Sequence, residues 1–149
     1  MTRIELYAVG DPAPKGSMRH VGNGVMIESS KRVKPWRKQV AAAARDVMAG
    51  RPLLTGPVAV TAIVRLPRPK GHYGTGRNAG RLKPSAPRYP TSRALGDADK
   101  HLRSLLDGMT GAVYEDDSQV VVVHLYKTYA DGDHPVGAHI TIDSLERQP

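Results

Sequence analysis

Asp97 and Asp99 stand two residues apart in GDADKHLRSLLDG, Asp107 closes that stretch, and Asp116 and Asp117 follow in EDDSQVVVV. Five carboxylates in so short an interval repel one another unless something positive lies among them. Lysine or arginine could supply that charge, and so could a metal ion. Asp97, Asp99, Asp116 and Asp117 together would make a hard, all-oxygen donor set, suited to Mg²⁺ or Mn²⁺ completed by water and phosphate. In phosphodiester hydrolysis such an ion activates water and stabilises charge on the attacking and leaving oxygens. Arg103, one helical turn beyond Asp99, is placed to face a phosphate. Plainer readings stand beside these. Asp97 or Asp99 could cap a helix, Asp99, Arg103 and Asp107 could form an i, i+4 ladder of ion pairs, and Asp116-Asp117 could be an ordinary turn.

The acids are unexpected because the chain is basic, with a net charge of +8 over 149 residues. Between Pro67 and Gly96 there is no acid at all, while Arg68, Lys70, Arg77, Arg81, Lys83, Arg88 and Arg93 all fall there. These seven account for nearly the whole imbalance. Five prolines and five glycines in the same segment exclude a helix or a central strand. A long basic loop of this kind reads as a track for phosphates, and Tyr73 and Tyr89 within it could stack on bases or sugars. The alternative is a flexible connector. A positive arm that runs straight into Asp97 suits an enzyme that cuts a polyanion better than a protein that merely binds one.

The elements that position these groups are legible in outline. Residues 4–9 read as a strand, and Met18 to Ile27 as a hairpin about Gly22-Asn23-Gly24. SKRVKPWRKQVAAAARDVMAG is a helix with Trp36, Val40, Ala44 and Val47 on its core face. GPVAVTAIVRLP alternates as a half-buried strand. A helix from about Ala98 to Met109 presents Leu102, Leu105, Leu106 and Met109 as its buried stripe. SQVVVVHLYKTY is expected to be the most buried strand, with His124 packed inside it, and GAHITIDSL a last strand. The fold class is therefore α/β, a mixed and mainly antiparallel sheet with two helices packed on it, in a single domain over residues 1–149. Whether the two acid pairs meet depends on how far the Met109–Glu115 connection reaches back toward Asp97, and the sequence leaves that open.

Absences narrow the chemistry. There is no cysteine, hence no disulfide framework and no thiolate zinc site. The start of the chain lacks the apolar core of a signal peptide, and no run is long enough for a membrane span, so no membrane partner and a cytoplasmic location are expected. No phosphate-binding glycine fingerprint appears, so no nucleotide cofactor is expected.

GDADKHLRSLLDGMTGAVYEDDSQVVVVHLYKTY resembles the signature of the RusA-type Holliday-junction resolvases, a P-D-x-D-N motif, a downstream lysine and a D-D-x-Q motif over the same interval. The similarity extends to VGDPAPKGSMR, the Trp36 helix and LPRPKGHY…LKPSAP, and phage or prophage members look nearest. By position, Asp97, Asp99 and Asp117 match the catalytic aspartates, Asp116 stands beside the third, and Gln119 completes the second motif. The resemblance implies Mg²⁺-dependent, paired cleavage of four-way DNA junctions by a homodimer, in recombination, repair or phage DNA processing. Gly96 replaces the usual proline, Lys100 the usual asparagine and Arg103 the catalytic lysine. Arginine keeps the charge but cannot give up a proton. Lys15, Arg19, Arg68, Lys70, Arg77, Arg81, Lys83 and Lys100 are the expected DNA-backbone ligands. Two symmetric nicks require two active sites, which a two-fold dimer supplies. The rival readings are a non-catalytic junction binder and a metal-dependent nuclease for another branched DNA or RNA substrate.

Overall fold

A computed structural model describes residues 2–16, 18–20, 26–28 and 31–145, the two short middle pieces as backbone only. Four strands form one sheet in the order β1-β6-β4-β5: β1 (Arg3–Val9), β6 (Gly137–Ser144), β4 (Val58–Leu66) and β5 (Val120–Tyr129). The β1/β6 and β6/β4 pairs are antiparallel and β4/β5 is parallel. The sheet is mixed and mainly antiparallel, as expected. β2 (Met18–His20) and β3 (Met26–Glu28) pair as a small antiparallel ribbon, while the expected Gly22-Asn23-Gly24 turn lies outside the described residues.

Two helices, α1 (Val33–Met48) and α2 (Ala98–Met109), pack against the sheet and each other. The period of two along β4 puts Val58, Val60, Ala62 and Val64 fully inside, facing Ile140 and Ile142 of β6 and Val33, Trp36, Val40 and Ala44 of α1. Each such valine or isoleucine contributes roughly 1.5–3 kcal/mol by leaving water. No described helix is long and apolar enough to cross a membrane.

Three expectations need correction. β5 is an edge strand rather than the most buried one. Val121 bulges where the β4 register skips it, and Val121, Val122, Val123 and Tyr126 are exposed. His124 is exposed as well. On α1, Met48 is buried where Val47 was expected to be, and Val47 is half-buried. On α2 the buried side is His101, Ser104, Leu105, Gly108 and Met109, with Leu102 and Leu106 only half covered. The reason is close approach to α1. A Cβ on Gly108 would lie 2.9 Å from Val40 Cβ and 3.3 Å from the Arg37 carbonyl oxygen, so glycine lets the two backbones come together there.

Candidate active site

α2 runs antiparallel to β5. The Lys127 ammonium, on β5, donates to the Gly96 carbonyl at 2.8 Å, and this fixes the start of α2 against the C-terminal half of the strand. His101 is buried and its Nε2 lies 2.6 Å from the Leu95 carbonyl oxygen, while its backbone N–H donates to Asp97 O. Burial holds the imidazole below its ordinary pKa, in the neutral form. These contacts clamp the backbone just before and at Asp97. Gly96 itself has φ +91° and ψ 153°, a region essentially closed to residues with a Cβ.

Asp97 occupies the N-cap position of α2, but its side chain makes no capping hydrogen bond. It borders a cleft of ≈ 540 Å³ shared with Lys15, Arg93, Gly96 and Lys100. Arg93 was counted in the basic loop but not singled out as a site residue. Its position three residues before Gly96, on the same turn, was the available signal. Asp99 follows in the first turn of α2. Arg103 is exposed one turn later.

The second acid pair is built differently. Asp116 caps the single 3-10 turn Asp117–Gln119, accepting the Ser118 backbone N–H at 3.1 Å, and hydrogen bonds from Ser118 hold its carboxyl below the usual range. Gln119 closes the capping box and does more. Its Oε1 accepts from the N–H groups of Glu115 and Asp116 at 3.0 and 3.1 Å, and its Nε2 donates to the carbonyls of Leu54 and Gly56, both at 3.0 Å. The glutamine of the D-D-x-Q motif is thus the rivet that fastens the two acids to the segment leading into β4. Replacing Gln119 by alanine removes four hydrogen bonds at a half-buried place. A loss of about 2–3 kcal/mol is expected, which lowers Tm by roughly 5–10 °C in a chain this size. A thermal melt within about a degree of the parent would show that the rivet carries no load.

Asp116 and Asp117 approach the other end of α2. Tyr114 donates to the Leu106 carbonyl at 3.1 Å, and burial pushes its phenol above the ordinary value, with the charges of Asp117, Asp107 and Asp116 adding to the effect. Leu106 lies seven residues beyond Asp99, roughly 10 Å along the helix axis. The acids are therefore strung along α2 rather than drawn into one knot. Among the described residues no three histidine or acidic side chains gather into a group that could hold a metal. A Mg²⁺-type ion uses only one or two carboxylates, with water and phosphate oxygens filling the other positions. The donor chemistry fits such an ion, although a closed protein cage is not formed.

The ladder of Asp99, Arg103 and Asp107, the plainer alternative for these residues, is not made. Asp107 turns to Lys15 at 3.4 Å and to Arg37 at 3.6 Å. Asp97, Asp99 and Asp117 carry no side-chain ion pair or hydrogen bond among the described residues. Among the described residues, two of the five acids thus have side-chain partners and three do not.

The basic loop is ordered by its own contacts. Tyr73 bridges to Leu82, and the Gly74 and Lys83 N–H groups donate to Arg81 and His72 carbonyls at 2.9 and 2.8 Å. Lys70, Arg77, Arg81 and Lys83 are exposed on this knuckle. Arg68 is not free in the same way. Its guanidinium donates to Pro87 O at 2.7 Å and lies 4.0 Å over the Tyr129 ring, which makes it a brace of the loop. Tyr89 is exposed and Tyr73 half-buried. Arg19 stands on β2, and its side chain lies outside the described residues.

Exposed aspartates at the start of α2 follow directly on a cationic loop, an arrangement suited to a phosphodiester backbone. The family model described as "Endodeoxyribonuclease RusA" matches residues 10–143, and the chain belongs to that family of Holliday-junction-resolving DNA endonucleases. It is also similar to "Uncharacterized protein YqaN" of Bacillus subtilis (strain 168), with 27% identity over 135 residues that cover 88% of this chain and 91% of the relative.

Proposed function

We propose that this chain is a Mg²⁺-dependent endodeoxyribonuclease that resolves four-way DNA junctions by paired symmetric cleavage. The observation that supports it most is the sorting of the carboxylates. Asp107 and Asp116 are held by partners within the protein, whereas Asp97, Asp99 and Asp117, the three that match the family's catalytic positions, have none among the described residues. All three are exposed, so in the free protein water satisfies them and their oxygens stay open to an incoming ion or phosphate. In this reading Asp97 and Asp99 would hold the divalent ion, which when present supplies an activated water and offsets charge on the phosphate, and Asp117, farther along α2, would meet it through water or phosphate oxygens. Asp116, tied to its turn, orients Asp117. Arg103 and Lys100 face the scissile phosphate, Arg93 lies at the mouth of the same cleft, and Lys70, Arg77, Arg81 and Lys83 carry the arm.

A homodimer belongs to the same proposal, since one acidic site makes one nick. β5 offers the surface for it. Its outer edge pairs with no strand among the described residues, and it displays Val121 at 61% and Tyr126 at 57% exposure. The strand contains no acid, and its one lysine is tied to Gly96, so a second copy meets no charge conflict there. A bare apolar edge of this length otherwise invites aggregation. Val121→Lys with Tyr126→Lys is expected to shift the protein from dimer to monomer in sedimentation, with paired nicks giving way to single ones. A double variant that sediments as the parent does would place the interface elsewhere.

The function itself is tested on a junction-cleavage gel with and without Mg²⁺. Symmetric paired nicks that require the metal carry the reading. Junction binding with no metal-dependent product would assign the chain to non-catalytic binding, and preferred cutting of flaps or RNA to another nuclease substrate.

A further inference from the structure

Lys34, Arg37, Lys38 and Arg45, with Ala41 between, recur at the spacing of one face of α1. They form one wall of a cleft of ≈ 640 Å³ whose other wall is Asp107, Gly108 and Thr110 at the end of α2. Gly108 leaves the cleft floor without a side chain at the point where the helices touch. The single acid in the cleft, Asp107, is already shared between Lys15 and Arg37. Lys34, Lys38 and Arg45 are exposed, and none has an ion pair or side-chain hydrogen bond among the described residues.

This stripe works against the helix that carries it. Lys34 with Arg37 and Lys34 with Lys38 are like charges one turn apart, which disfavours helix. Lys31, Arg32 and Lys34 crowd the positive end of the helix dipole, and the first turn contains no acid. A face that needed only to be solvated would interleave both signs. An anion that lies along the cleft removes both conflicts.

We propose that the α1–α2 cleft is a second track for the DNA backbone, separate from the basic loop. Lys34 to Arg45 spans roughly 16 Å along the axis, enough for each of the three unpaired cations to take its own phosphate. The track joins the acidic cleft through Lys15, whose Nζ reaches Asp107 and whose backbone N–H donates to Lys100 O at 3.1 Å. A duplex arm on α1 and another on the loop would then flank Asp97. This inference rests on the nuclease reading for its ligand, and its test is a binding measurement without metal, so that cleavage plays no part.

The full-length chain is titrated with a four-way junction and with two linear duplexes of unrelated sequence, in EDTA, over a range of KCl. Lys34→Ala/Lys38→Ala/Arg45→Ala is compared with the parent and with Lys70→Ala/Arg77→Ala/Arg81→Ala. The α1 variant is expected to lower the slope of log affinity against log salt by about three, at roughly 0.9 per phosphate lost. At low salt it should weaken binding by about tenfold or more, equally for both duplex sequences. Its Tm should match or exceed the parent's, because like charges have been removed. If the triple variant does not fold, Lys38→Gln and Arg45→Gln singly should each reduce the slope by about one. An α1 variant with the parent's slope, beside a loop variant with a reduced one, overturns the second track and leaves the nuclease reading standing. A loss confined to one duplex sequence also overturns it, since phosphate contacts carry no sequence information. A parent with no salt-dependent DNA binding overturns both.

Discussion

Asp99→Asn is expected to abolish metal-dependent junction cleavage while leaving the fold and junction binding in place. Asparagine keeps the shape of the side chain and removes its charge. Asp99 is exposed and has no partner within the described residues, so the change should alter stability by no more than about 0.5 kcal/mol. On the proposed reading, what is lost is an anionic oxygen where a divalent ion and a phosphate would meet. A rate reduction of at least about a thousandfold is expected, on the order of 4 kcal/mol of barrier. Binding in EDTA should be unchanged or tighter, because one repulsive charge near the backbone has gone. Single-turnover cleavage and a binding titration on the same preparation check both halves. A variant that nicks at the parental rate would remove Asp99 from the chemistry and leave the three free carboxylates without a purpose.

Gly96→Pro, which restores the residue usual in the family, is expected to damage this protein. Proline fixes φ near −65°, whereas Gly96 sits at φ +91°. A Cβ there would stand 2.5 Å from Pro14 Cγ and 2.9 Å from His101 Nε2. Proline would also remove the N–H that donates to the Arg93 carbonyl at 3.1 Å. Even Gly96→Ala, which keeps that bond, should cost about 2–4 kcal/mol in strain and displaced neighbours and lower Tm by roughly 5–15 °C. Cleavage measured well below the melting temperature should fall further than folding does, because Asp97 follows directly. A Gly96→Pro variant as stable and active as the parent would mean that this loop takes another path. The departure from the family motif at this position is therefore matched to its surroundings, to Pro14 and His101 in particular.

Much of the frame was legible in the residues themselves. The alternation in β4 and the apolar stripe around Trp36 required only local periodicity, and both elements lie where that periodicity puts them. β5 was misread for a physical reason. A run of valines has the same composition whether it fills a core or waits at an edge for a partner, and periodicity cannot tell the two apart. The α2 face was misjudged because close approach to α1 buries the small Ser104 and Gly108, which a search for large apolar residues passes over. The acids were visible by type, but their partners were not. Lys15 is 92 residues from Asp107 in the chain, and Gln119 reaches 65 residues back to Leu54. Only the folded chain says which carboxylate is already spoken for.

The link from Lys127 to Gly96 has a mechanical consequence. One strand is gripped along its inner side by β4, pairs with no strand along its outer side among the described residues, and holds the peptide ahead of Asp97 through a single ammonium. In a dimer seated on β5, as proposed, a load borne along that side would cross the width of the strand to the peptide ahead of Asp97. Seam and lever would then be the same piece of backbone, which would tie the placing of Asp97 to whatever rests against β5.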